Sequence, residues 1–391
     1  MQLKKALPIL FLIMFLVMVG FGIIIPVLPF YAEDLGATPT ELGLLMAVYS
    51  LMQFIFAPMW GRISDRIGRK PVIMIGIFGL SLSFFMLALS TELWMLFAAR
   101  IVGGVLSAAN MPTVQAYVAD ITSEEDRAKG MGIIGAATGL GFICGPAIGG
   151  IFTNINLHMP FYISGVVSFF TLILVALVLR ESVNISENKQ IKVKVSRRQA
   201  ISGPMAILYF LNFFVSLSLA GLEATFAYFA AIKAGMDAVT LGYAFMIMGL
   251  ASAMVQGSMG KWTKKYGEAL IIQAGISISL IGFGLILFIQ DFTTAAIFLA
   301  IFGIGNGVIR PSVSSLLTKK AKAGYGVATG YLSSSDSLGR IIGPILGGAL
   351  YSINIGFPYI SGMLLSVIAY LLFQVYTSRS NMTNRSQLPG N

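Results

Sequence analysis

Apolar stretches of about twenty residues, the length a helix needs to cross a bilayer, recur along this chain and are separated by short polar or charged segments. Twelve spans can be laid out, at 7–31, 42–60, 72–90, 94–118, 130–152, 159–179, 204–230, 240–258, 270–289, 295–317, 327–351 and 357–377. The pattern predicts an all-α membrane protein with twelve transmembrane helices. The first span follows Lys4 and Lys5, as the core of a signal peptide would, but it is too long and has no small-residue cleavage site, so it is read as a helix.

The polar stretch 181–203, "ESVNISENKQIKVKVSRRQAISG", interrupts this rhythm. It predicts a cytoplasmic linker between a bundle at 1–180 and a second at 204–378, with 379–391 as a cytoplasmic tail. The two bundles repeat. "CGPAIGG" at 144–150 returns as "IGPILGG" at 342–348, and Pro112 in "ANMPTVQAY" has a counterpart in Pro311 of "VIRPSVSSL". Gly61 and Gly68, after span two, are matched by Gly260 and Gly267 after span eight, 199 residues on. Landmarks in one order at a nearly constant offset imply two pseudo-symmetric six-helix halves.

Composition agrees. Of 391 residues, 57% are hydrophobic and 11% charged, with a mean hydropathy of +0.85; a soluble domain is roughly 25% charged. A net charge of +10 would suggest nucleic acid in a soluble protein, but placement excludes that. With a cytoplasmic N-terminus, 22 of the 26 Lys and Arg residues fall on cytoplasmic segments, Lys233 falls outside, and three lie within spans. This is the positive-inside asymmetry of a membrane protein with both termini cytoplasmic. One histidine (His158) and one cysteine (Cys144) exclude an intramolecular disulfide and an ordinary Cys/His metal site. There is no Walker motif and no nucleophile–base pair, so neither a cofactor nor an enzymatic step is expected.

The loop after span two reads "GRISDRIGRKPV". Its bases hold it on the cytoplasmic side, but Asp65 among them and the two glycines ask for another explanation. The stretch resembles motif A of the major facilitator superfamily through Gly61, Asp65, Arg66, Gly68, Arg69 and Lys70. Span four, "ARIVGGVLSAA", resembles motif B, with Arg100 and Gly104. Span five, "GLGFICGPAIGG", resembles the antiporter motif C through Gly141, Gly145, Pro146, Gly149 and Gly150. "GFGIIIPVLP" in span one matches the drug antiporters at Gly22, Pro26 and Pro29. The resemblance covers essentially the whole chain and points to the twelve-span drug:proton antiporter branch. It implies the major facilitator fold, a substrate site between rocking halves, residence in the cytoplasmic membrane, and a monomer. It also implies that Asp65 sits against the start of span eleven and that Arg69 reaches Asp120, contacts that latch one conformation.

Five charges lie well inside the spans: Arg100, Glu223, Arg310, Asp336 and Arg340. Such charges face a bundle interior or a watery cavity and mark function. Asp336 and Arg340, four apart, share a helix face and can pair; the pair is either structural or functional. Glu223 stands alone on its helix, where an ionised carboxylate is costly, and that cost suits it to take up and release a proton. In the similar exporters a span-seven glutamate is a proton and cation site. Their second acid, just before "IRP" in span ten, is absent here, where Asn306 and Gly307 stand; Asp336 is the candidate substitute. Arg100, Arg310 and Arg340 are fixed cations available to an acid once it ionises.

By the same resemblance Tyr49, Gln53, Phe54 and Phe142 line the substrate pocket, while Asn212, Phe226, Tyr228 and Met246 are candidates on spacing. Twenty methionines, 28 phenylalanines and 14 tyrosines suggest a loose apolar pocket with few fixed polar groups. The expected activity is proton-coupled efflux of lipophilic, cationic drugs, and hence antibiotic resistance. The rivals are export of a lipid-linked or metabolite substrate on the same fold, and a non-transporting receptor.

Overall fold

The computed structural model describes the backbone of residues 2–182, 204–320 and 325–385. Most of the linker and the end of the tail lie outside the described residues. All regular structure among the described residues is helical. Span one is the helix Gln2–Asp34, span two Pro39–Ile67, span three Arg69–Ala88, span five Glu124–Thr153 and span six Met159–Val178. In the second half span seven is Pro204–Ala234, ten Phe292–Lys320, eleven Tyr325–Ile353 and twelve Phe357–Arg385. Several helices outrun their apolar stretch, because hydropathy marks only the hydrocarbon and the helix continues into water. Among the described residues, eleven helical segments are long and apolar enough to cross a membrane. Span eleven is long enough too, but Ser333–Asp336, Ser337 and Arg340 make its middle polar.

Two departures from one helix per span have local causes. Span four is broken into Leu93–Ser107 and Asn110–Ile121, because Pro112 has no N–H for the carbonyl four residues back and its ring crowds that turn. Spans eight and nine follow one another without a loop over Ala238–Ile286, turning at Gly267 (φ 77°, ψ 155°). Gly68 makes the equivalent turn between spans two and three at φ 104°, ψ 160°. Both lie where a Cβ is strained, so glycine is required.

The chain forms two compact units, Met1–Ile191 with Ala230–Met246, and Lys192–Phe229 with Ile247–Asn391. Each contains a close seam between two of its spans. In the first, a Cβ on Gly145 would lie 2.6 Å from the Val19 carbonyl oxygen and 2.8 Å from the Gly22 Cα. In the second, a Cβ on Gly343 would lie 3.0 Å from the Ala220 Cβ, and one on Gly347 would lie 3.0 Å from the Gly221 oxygen. Small residues let backbones approach where no hydrophobic effect drives helices together. The second unit also buries an apolar core including Leu208, Leu211, Ile276, Val313 and Phe373.

Candidate functional site

Spans seven, ten and eleven bring four of the five intramembrane charges together in the second unit. Ser216 and Glu223 are seven apart on span seven, and Asp336 and Arg340 four apart on span eleven, so each pair projects from one helix face. Asp336 Oδ1 accepts from Arg310 Nη2 at 2.7 Å and from Ser216 Oγ at 2.5 Å, and its Oδ2 lies 3.6 Å from Arg340 Nε. Arg340 Nη1 lies 3.8 Å from Glu223 Oε2. Glu223 is 1% exposed, and its Oε1 has no hydrogen-bond partner among the described residues. An isolated buried ion costs several kcal/mol, and only good geometry with further hydrogen bonds offsets that. Asp336 has such geometry. Glu223 has one long contact and an empty oxygen. The cluster is neutral with both acids ionised and carries +1 when one is protonated.

Beside it a cavity of about 460 Å³ is lined by Asn212, Ser252, Gln256, Asn306, Arg310, Ser314, Ser333 and Asp336, with Gly307, Pro311 and Leu332. Its lining is polar, whereas the composition suggested an apolar pocket with few fixed polar groups. Asn212 lines it, donating to Leu332 O at 3.2 Å and Ser335 Oγ at 3.1 Å. Phe226 and Tyr228 do not. Phe226 is wholly buried one turn beyond Glu223, and Tyr228 packs on Tyr351 with ring centroids 6.1 Å apart. Met246 is half-buried in the first unit. Ser216, Ser252 and Gln256 were missed by sequence reasoning; the seven-residue step from Ser216 to Glu223 was the available signal.

In the first unit the Arg100 guanidinium sits 4.1 Å from the centroid of the Tyr49 ring. Tyr49 OH shares a hydrogen bond with Ser107 Oγ (2.9 Å) and accepts from Gln53 Nε2 (3.0 Å). Phe21, unforeseen in the sequence, joins Tyr49 (6.3 Å) to Phe142 (6.4 Å). Phe54 is exposed. Arg100 is 2% exposed, and its one hydrogen bond among the described residues, Nε to Leu45 O, is long at 3.5 Å. A desolvated cation–π contact contributes about 2 kcal/mol, less than the several kcal/mol that burying an ion costs.

The loop after span two forms a separate ionic device. Arg69, 5% exposed, reaches Asp65 Oδ1 at 2.6 Å, Asp120 Oδ2 at 3.0 Å and Ser64 Oγ at 2.6 Å. Glu181, not anticipated, accepts from the backbone N–H groups of Arg69 (2.7 Å) and Lys70 (3.0 Å). It thereby caps span three, where a helix start favours negative charge. Arg66 is exposed, and Gly61 lies about 4 Å from Pro112 as a Cβ would see it. The expected contact of Asp65 with the start of span eleven involves side chains (325–329) outside the described residues. Pro146 packs with Gly145 on Gly22 of span one. Among the described residues no cluster of His, Cys, Asp and Glu suits a metal.

The family model of the Major Facilitator Superfamily matches residues 10–330 and again 234–390. The chain is 33% identical over 357 residues to Multidrug resistance protein 1 of Bacillus subtilis (strain 168), covering 90% of this chain and 91% of that protein. It is 30% identical over 357 residues to Quinolone resistance protein NorA of Staphylococcus aureus (strain COL), with 91% and 92% covered. Among solved structures, the nucleoside transporter NupG superposes with a TM-score of 0.78 over 95% of this chain and 98% of its own, at 14% identity; that likeness concerns the fold alone.

Proposed function

Because this chain belongs to the Major Facilitator Superfamily, and is thus a multi-pass transporter of the cell membrane, we propose that it exports amphipathic, cation-bearing small molecules in exchange for protons, by alternating access. The carrying observation is the buried cluster in which Asp336 has close donors and Glu223 has an oxygen without a partner among the described residues. In this reading Asp336 is the fixed anion and Glu223 the proton carrier. A proton arriving from outside binds Glu223 Oε1, where no existing bond must break. The cluster then changes from neutral to +1, and a bound cation is repelled outward. Loss of the proton toward the cytoplasm restores the site. Relatives named for multidrug and quinolone resistance support a drug-like substrate, and the Arg69 network serves as the latch for one end state.

The test is proton-gradient-driven uptake of ethidium into inverted vesicles. Wild type should accumulate the dye, Glu223→Gln should lose gradient-driven uptake, and Asp336→Asn should bind the dye more weakly. Unchanged gradient-driven uptake in Glu223→Gln would sink the assignment. The polar cavity favours a second reading, a polar metabolite as substrate; a wild type that moves no cationic dye but exchanges a polar solute for protons would establish it.

A further inference from the structure

We infer that Arg100 and the groups around it form an anion site in the first unit, which takes a small monoanion such as chloride or a carboxylate carried by the transported molecule. The six apolar stretches of the first half, 7–31 to 159–179, contain one charged residue, Arg100, and no Asp or Glu. Three acids at the cytoplasmic ends of these helices are engaged elsewhere: Asp65 and Asp120 hold Arg69, and Glu181 caps span three. Arg100 is nearly wholly buried, and apart from the Leu45 carbonyl no acceptor among the described residues takes its donors.

The guanidinium cannot easily seek a partner by moving its helix. A Cβ on Gly104 would lie 2.7 Å from Met52 Cβ and 2.9 Å from the Tyr49 carbonyl oxygen, so span four is pressed directly against span two. The Tyr49 hydroxyl is already bonded to Ser107 and Gln53. A planar cation with parallel donors, paired with no carboxylate among the described residues and walled by one aromatic face, suits a halide or a bidentate carboxylate.

Because the first readout is stability, the inference stands or falls separately from proton coupling. Purified full-length protein in detergent is melted in a bulky sulfonate salt, which is replaced stepwise by chloride or acetate at constant ionic strength. The wild type should melt a few degrees higher as either small anion is added. Arg100→Gln should show no such rise, and Arg100→Lys should need a several-fold higher concentration for half the effect. If Arg100→Gln does not fold, the lysine variant alone carries the comparison. A wild-type melting temperature indifferent to the anion, or a rise that persists unchanged in the variants, overturns the inference. Vesicle transport then separates the two sources. Export of a purely cationic dye that falls when chloride is removed marks chloride as the occupant. Competitive inhibition by chloride, confined to a carboxylate-bearing dye, marks the transported molecule.

Discussion

The two six-span halves share a backbone device and oppose each other in charge. Gly22, Gly145 and Gly149 of the first half correspond to Gly221, Gly343 and Gly347 of the second at offsets of 199, 198 and 198 residues, and in both they let two helices meet backbone to backbone. Gly68 and Gly267 turn the chain in the same left-handed conformation. On this common frame Asp65 and Arg69 are replaced, 199 residues on, by Lys264 and Glu268, with the signs inverted. The first half carries one intramembrane cation and no acid; the second carries Arg310 and Arg340 with Glu223 and Asp336. Helix packing here is set by small residues that ignore charge. Each half can therefore acquire its own electrostatics without disturbing its scaffold.

The sharpest way to break this contrast is to remove one arginine from each half. Arg340→Gln should destabilise by about 3–5 kcal/mol, since it leaves Glu223 without its cation and Asp336 with Arg310 alone. Arg100→Gln, in a medium without small anions, should be neutral or stabilising; equal losses in denaturant melts would remove the asymmetry. The scaffold predicts the opposite outcome, symmetry. Gly145→Ala and Gly343→Ala should each cost about 1–3 kcal/mol by overpacking, and a several-fold disparity between them would show that the seams are not equivalent. The turns give a graded pair. Gly267→Ala meets no atom within 4 Å and should cost about 1–2 kcal/mol from backbone strain. Gly68→Ala adds a Cβ 2.5 Å from Glu181 Oε2, so its loss should exceed that of Gly267→Ala in the same melts.

The smallest effect belongs to the loop before span ten. Asp291 accepts from the Thr294 backbone N–H at 2.8 Å, and this bond, then the Thr294 hydroxyl, holds its carboxyl below the usual aspartate range. A lowered folded value stabilises above the unfolded value of about 3.9 and is lost as pH falls through the folded one. The melting difference between wild type and Asp291→Asn should thus be slight and constant from pH 5 to 8, and should shrink only in stronger acid.

Sequence reasoning read the fold well because each span announces itself: hydropathy marks the hydrocarbon, and charge marks the side. The intramembrane charges were legible for the same reason, being conspicuous against an apolar background. Their partners were not. Glu223 and Arg340 are 117 residues apart, and Glu181 reads as an ordinary charge at a linker until span three begins against it. The polar cavity was hidden by its construction, with Asn212 contributed by span seven, Ser252 and Gln256 by span eight, and Asn306 by span ten. Averaged over a chain rich in methionine and phenylalanine, they leave no mark on composition. The break in span four lies before the proline that causes it, so its position follows from hydrogen bonding and not from hydropathy.

The polar middle of span eleven has a consequence for biosynthesis. Asp336 and Arg340 near the centre of a helix each oppose insertion by about 2.5–3.5 kcal/mol, so this segment is a poor passenger for a translocon acting on it alone. Its acceptors and donors are already in the bilayer when it emerges: Ser216 and Glu223 on span seven, and Arg310 on span ten. Span eleven would then enter the membrane as a guest of helices made before it, and in the proposed exporter the ion cluster would be an assembly checkpoint as well as a working site.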